Sequence, residues 1–137
     1  MKPNMKIKKL FLALTILLIS TSPVWAENWV PLAESNQGEA FVDADSIRKA
    51  GGFVYFWQIV NYTEPTKYQT LSVKAYIKVN CNSLGYMSLK SEYYDSHMGK
   101  GKLNSSGNPK QVWIYDPPNS AGNIIMREVC SYSQKIN

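Results

Sequence analysis

From Thr70 to Cys81 apolar and polar residues alternate without a break. Leu71, Val73, Ala75, Ile77, Val79 and Cys81 take one set of positions; Thr70, Ser72, Lys74, Tyr76, Lys78 and Asn80 take the other. Successive side chains of an extended backbone point to opposite sides, so this period specifies a strand with one face on a core and one toward water. The last apolar position is a cysteine, and the sequence contains one other, Cys130.

Cys130 lies in a different pattern. After Pro117-Pro118, Asn119 or Ser120 can cap a helix, and Ala121, Ile124, Ile125, Val129 and Tyr132 then share one stripe. Met126 and Cys130 fall at its rim. A Cys81–Cys130 bridge would therefore hold this helix against the apolar face of the strand. Closing a loop of that length contributes about 4 kcal/mol in the chain-entropy treatment. The alternatives are two unpaired thiols or half of a zinc site. A single His and the absence of a Cys-x-x-Cys spacing leave zinc short of ligands.

The N-terminus sets the redox environment. Lys2, Lys6, Lys8 and Lys9 precede the apolar run Leu10–Ile19, and Val24 and Ala26 stand where a signal peptidase reads small residues. Residues 1–26 thus read as a secretory signal, and residues 27–137 as one mature domain. The apolar run is about half the ~20 residues a spanning helix needs, which disfavours the alternative of an uncleaved anchor. No cysteine adjoins the cleavage point, so the reading is not a lipoprotein. Export to the periplasm, the medium or the cell surface places the cysteines where disulfides persist. Of the 15 Lys and Arg, four lie in the signal, leaving 11 against 10 Asp and Glu. The alkaline character of the whole chain belongs largely to the leader, and nucleic-acid binding loses its electrostatic support.

The rest of the chain is mostly of period two. Gly52–Tyr62, aromatic, β-branched and apolar on both faces, reads as a central strand, joined to the next through a turn at Pro65. A third strand near Gly85–Tyr94 places Met87, Leu89 and Tyr93 on one face and Tyr86, Ser88 and Lys90 on the other. Shorter strands are expected at Trp29–Leu32, Glu39–Val42 and Gln111–Tyr115, and a turn or short helix at Asp43–Gly51. Short connections favour antiparallel pairing. The fold class is α+β: an antiparallel sheet of about six strands with a C-terminal helix packed on one face.

No set of acid, base and nucleophile emerges, so the chain reads as non-enzymatic and without a cofactor. His97, the single histidine, sits in a loop beside Asp95 and Ser96, where sequence neighbours do not normally face one another. Gly99-Lys100-Gly101-Lys102 lacks the glycine spacing and Lys-Ser/Thr of a phosphate loop and reads as a flexible basic loop. Asp43 and Asp45 suit a helix start. Trp29, Trp57, Trp113 and the tyrosines offer rigid contact area with a polar handle. Candidate ligand contacts are Tyr76 and Tyr86, both placed opposite the apolar faces, and Lys100 and Lys102 in the loop.

In this order, several short features resemble the surface-adhesin protein E family: Trp29, Phe41-Val42-Asp43, Ser46-Ile47-Arg48, Val54-Tyr55-Phe56-Trp57, and the strand ending in Cys81. The series continues with Gly99-Lys100-Gly101, Val112-Trp113, Pro118-Asn119-Ser120 and Val129-Cys130. The resemblance spans nearly the whole mature chain. It implies a six-stranded antiparallel sheet with a disulfide-linked C-terminal helix. It also implies adhesion to host proteins such as vitronectin, laminin or plasminogen. The alternative is a periplasmic binding or enzyme-inhibitor module that never reaches the surface. The partner's identity and the oligomeric state stay open.

Overall fold

The computed structural model describes residues 26–136. The expected signal segment, apart from Ala26, lies outside the described residues. Strands β1 (Trp29–Ser35), β2 (Gly38–Asp43), β3 (Arg48–Ala50), β4 (Phe53–Tyr62), β5 (Ser72–Val79), β6 (Tyr86–Tyr94) and β7 (Leu103–Gly107) precede one helix, α1 (Ala121–Ser133). All neighbours pair antiparallel in the order β1-β2-β4-β5-β6-β7. Strand β2 covers Gln58–Tyr62 of β4, and β3 covers Phe53–Tyr55 of the same edge.

The two longest patterns form the centre. Val54, Phe56, Gln58 and Val60 of β4 lie opposite Val79, Ile77, Ala75 and Val73 of β5, giving a face that is apolar except at Gln58. Helix α1 seals it: Ile125, Met126, Val129 and Cys130 join Ala40, Val42, Ile47, Val54, Phe56, Ala75, Ile77 and Val79 in a single core. Cys81 and Cys130 form the disulfide, with Cα atoms 5.6 Å apart at a sequence separation of 49. The α+β architecture expected from the periods is the one observed.

Several elements depart from the periodic reading. Ser120 is the helix cap, its Oγ accepting from the Asn123 amide at 3.4 Å. The buried stripe, however, is rotated from the one expected. Met126 and Cys130 are 1% and 5% exposed, whereas Tyr132 is 40% exposed. The disulfide draws Cys130 onto the seam and turns Tyr132 outward. Asp43–Gly51 is not one helical turn throughout. Ala44–Ser46 is a short 3-10 turn capped by Asp43, and β3 follows at once. Gly51 and Gly52, with φ of 57° and 82°, close the β3–β4 hairpin, the two-residue turn that right-handed strand twist favours.

Strand β6 breaks its own alternation. Tyr76 pairs with Lys90 but Ile77 with Ser88, so Leu89 is the extra residue of a bulge. Met87 therefore shares a side with Lys78, and Tyr93 shares the opposite side with Val73. The strand expected at Gln111–Tyr115 is reduced to a single bridge, Ile114 to Tyr86. The last paired strand is instead β7, whose residues Leu103–Gly107 are all exposed and carry no apolar side chain after Leu103. Its pairing follows from the tight 95–102 loop rather than from any alternation of its own.

Replacing both Cys81 and Cys130 by Ser is expected to lower the unfolding free energy by about 2–4 kcal/mol. The far-UV circular dichroism of the sheet should persist, and a denaturant midpoint unchanged under oxidising conditions would contradict this. Gly122→Ala offers a sign test. Helix propensity alone favours Ala by up to about 1 kcal/mol, but a Cβ at Gly122 would collide with the Asp116 carboxylate. Net destabilisation, read as a lower melting temperature, is the expected outcome.

Candidate binding face of the sheet

The side of the sheet away from α1 is built by the alternate residues of the same strands. Tyr55, Trp57, Ile59 and Asn61 of β4 lie opposite Lys78, Tyr76, Lys74 and Ser72 of β5, and Lys90 and Glu92 of β6 continue the rows of Tyr76 and Lys74. This face is not uniformly wet, as the alternation alone implies. Ser72 is 0% exposed and Ile59 1%, because the 95–102 loop folds over that end.

The loop is pinned, not free. The Ser72 hydroxyl donates to the Ser96 carbonyl at 2.6 Å and accepts from the Gly99 amide at 3.0 Å. Asn61 Oδ1 accepts from the Met98 amide at 2.8 Å, and His97 Nε2 lies 2.8 Å from the Tyr62 carbonyl. Asp95 Oδ1 accepts from the Lys102 amide at 2.8 Å. Gly99 and Gly101 have φ of 63° and 76°, the conformation glycine adopts without penalty. The flexible loop expected around His97 is thus a fixed lid on one end of the face, with Lys100 and Lys102 exposed on its outer rim.

The remainder of the face is a lattice of aromatic rings and cations. Trp57 and Tyr76 have centroids 5.0 Å apart, Tyr55 and Tyr76 6.0 Å, and Phe53 and Trp113 5.8 Å. Arg48 lies 4.7 Å from the Tyr55 centroid and donates to Tyr76 Oη at 2.6 and 3.1 Å. Lys78 lies 4.0 Å from the Phe53 centroid and 5.8 Å from that of Trp113. Lys74 sits between Trp29 and Trp57 at 5.6 and 5.3 Å. Ring faces carry negative potential, so each ring stabilises the cation above it by about 0.5–1 kcal/mol at an exposed site.

Two carboxylates on this face are committed to lysines. Glu27 pairs with Lys74, and Glu92 pairs with Lys90 at 2.6 Å. Hydrogen bonding to Lys74 holds Glu27 below the usual carboxylate range, and hydrogen bonding to Lys90 does the same for Glu92. These contributions are present above the ordinary carboxylate pKa and fade as pH falls below it. As surface pairs, each is worth at most about 1 kcal/mol.

Of the four residues read as ligand contacts, Tyr76 stands at the centre of the aromatic lattice. Tyr86 does not join it. Paired with Val79, it lies on the helix side, and its hydroxyl donates to Asp116 Oδ2 at 2.8 Å. The sequence grouped Tyr86 with Tyr76 because the bulge at Leu89, which decides the phase of β6, leaves no trace in the alternation. Lys100 and Lys102 are separated from Tyr76 by the 95–102 lid. Arg48, Lys74 and Lys78, which do lie over the rings, were not among the candidate contacts. The signal available was Lys78 alternating with Tyr76; nothing local placed Arg48 beside them. On the helix side, a cleft of about 260 Å³ lies between the β1–β2 hairpin and the start of α1, lined by Val60, Gln58, Tyr86, Asp116, Gly122 and Ile125 among others.

One helix seals one sheet face and leaves the other as an aromatic and cationic surface, which defines a small α+β domain with one face available for binding. The chain belongs to the surface-adhesin protein E family, whose family model matches residues 29–131, and it is an adhesin-like binding protein. Two crystal structures of protein E from Haemophilus influenzae share the fold. One is 19% identical, covers 77% of this chain and 89% of the other, and has a TM-score of 0.57. The second is 21% identical, covers 80% and 89%, and has a TM-score of 0.55. No curated protein matches the sequence. Among the described residues no helix is long and apolar enough to cross a membrane.

Alkaline titration separates the tyrosines. Burial, and then the bond to Asp116, push the Tyr86 hydroxyl well above the usual tyrosine range; burial also raises Tyr62 and Tyr94. A raised folded-state pKa favours the folded state fully below about pH 10, and that contribution is lost as pH climbs beyond it. Absorbance at the phenolate band should therefore show tyrosines that ionise only with alkaline unfolding. Tyr86→Phe should remove one of them.

Proposed function

We propose that the mature domain is an exported, non-enzymatic adhesin that binds a protein partner through the helix-free face of its sheet. The observation that carries this reading is the division of the sheet. The apolar face is consumed by α1, while Tyr55, Trp57 and Tyr76 form a continuous lattice on the other face with cations held over their rings. Tyr, Trp and Arg are the residues that dominate binding energy at protein interfaces, because they bring large area at low entropic cost. Membership in a surface-adhesin family points to a partner outside the cell, and host matrix or plasma proteins such as vitronectin, laminin and plasminogen are the first to test.

Saturable binding of the purified 27–137 domain to one of these immobilised proteins is expected. Tyr55→Ala with Tyr76→Ala should weaken it by about tenfold or more. Tyr115→Ala, at a residue 64% exposed and outside the lattice, should leave it unchanged. Antibody labelling of intact cells should detect the domain. Unlabelled cells, or equal binding by the Tyr55 and Tyr76 variant, would replace this reading with a periplasmic module.

A further inference from the structure

Resting on that reading, we propose that the segment of the partner seated on the helix-free face is acidic, with its carboxylates gripped by Arg48 and Lys78 on either side of Tyr55. The cations of the face divide into two kinds. Lys74 and Lys90 are neutralised by Glu27 and Glu92, whereas among the described residues Arg48 and Lys78 have no carboxylate partner. Glu27, Asp43 and Asp45 cluster with Lys74 and Trp57 at the β1 side, so on the open part of the face, away from the 95–102 lid, the uncompensated positive charge lies on the β3–β5 side. The mature sequence holds 11 basic against 10 acidic residues, so this charge is a local feature and not the spill-over of a basic protein.

The two cations are also pre-placed. Arg48 pairs with Tyr55, and Tyr55 pairs with Lys78, so the three lie in one row across β3, β4 and β5. Two interstrand spacings put the Arg48 and Lys78 backbones about 9.5 Å apart. Alternate side chains of an extended segment project to one side about 6.5–7 Å apart, within reach of two such flexible arms. Arg48 is held by Tyr76 Oη and the Tyr55 ring, and Lys78 by the Phe53 and Trp113 rings. Much of the side-chain entropy that an ion pair ordinarily costs is thus already spent. The aromatic floor lowers the local dielectric, which strengthens attraction to an arriving carboxylate.

The test uses the folded domain and a labelled twelve-residue peptide of alternating Glu and Thr, with Gln-Thr and Lys-Thr peptides alongside, read by fluorescence anisotropy. The Glu-Thr peptide should bind, its affinity falling as salt rises, while the Gln-Thr and Lys-Thr peptides should not. Arg48→Gln with Lys78→Gln should reduce binding about tenfold. Lys110→Gln with Lys135→Gln, exposed lysines elsewhere, should leave it unchanged. Equal loss in both double variants, or equal binding of the Gln-Thr peptide, would overturn the proposal. Binding of a heparin tetrasaccharide through the same two cations without binding of the Glu-Thr peptide would overturn it in favour of a sulfated glycan. If matrix-protein binding falls with Tyr55→Ala and Tyr76→Ala but is unmoved by the Arg48 and Lys78 variant, the adhesin reading stands and the acidic partner does not.

Discussion

The seam between α1 and the β4–β5 face is the interaction on which the other features depend. Phe56, Ile77, Val79, Met126 and Val129 are each no more than 1% exposed, and burial of such side chains is worth roughly 1.5–3 kcal/mol apiece. A single helix is too short to be stable alone in water, so its existence here depends on that seam. The Cys81–Cys130 bond, placed at the end of β5, limits how far helix and sheet can separate when the chain unfolds. With one face thus consumed, the alternation of β4 and β5 leaves the opposite residues to form a surface.

That surface is not decoration on an otherwise complete core. A polar face of a sheet usually carries scattered charges in water, whereas here rings and cations contact one another in rows set by strand register. The 95–102 loop buries one end of the face through Ser72 and Asn61, and the rest is left accessible. Asp43, whose carboxylate accepts from the amides of Asn28 and Asp45 at 3.0 and 3.2 Å, ties the start of β1 to the β2–β3 corner. Ser46 links the same corner to Trp57 through a 2.8 Å bond to its amide. The aromatic and cationic residues are therefore presented by a rigid sheet, which would reduce the entropic cost of engaging the proposed partner.

Legibility in the sequence followed how local each determinant is. The β5 alternation, a helix cap at Asn119 or Ser120 and the pairing of two cysteines could be read directly, because each depends on neighbouring residues or on a count of two. Strand β7 could not. Leu103–Gly107 has no apolar face, and its pairing to β6 is imposed by the loop before it. Val112–Tyr115 carried β-forming residues yet makes only one bridge, since β7 occupies the upper part of the β6 edge. Gly51, expected to end a turn or short helix begun at Asp43, instead closes the β3–β4 hairpin with Gly52, because the charge pattern of Asp43–Lys49 looks helical while strand pairing decides the outcome. Tyr86 and Tyr93 end on the same side of the sheet, not on opposite sides, because one extra residue, Leu89, shifts the phase of β6 between them.

The sequence by itself determined the fold class, the staple and the presence of an aromatic, cationic side to the sheet. Periods of two and 3.6 residues and a lone cysteine pair are properties of the covalent chain. Only the tertiary structure decided which residues make up that side. Arg48 meets Tyr55 through the β3–β4 hairpin and Tyr76 across 28 positions of sequence, and Tyr86 is taken from it by a bulge. Strand register and bulges are settled by the whole sheet at once, so the composition of a binding face lies beyond what any local pattern can specify.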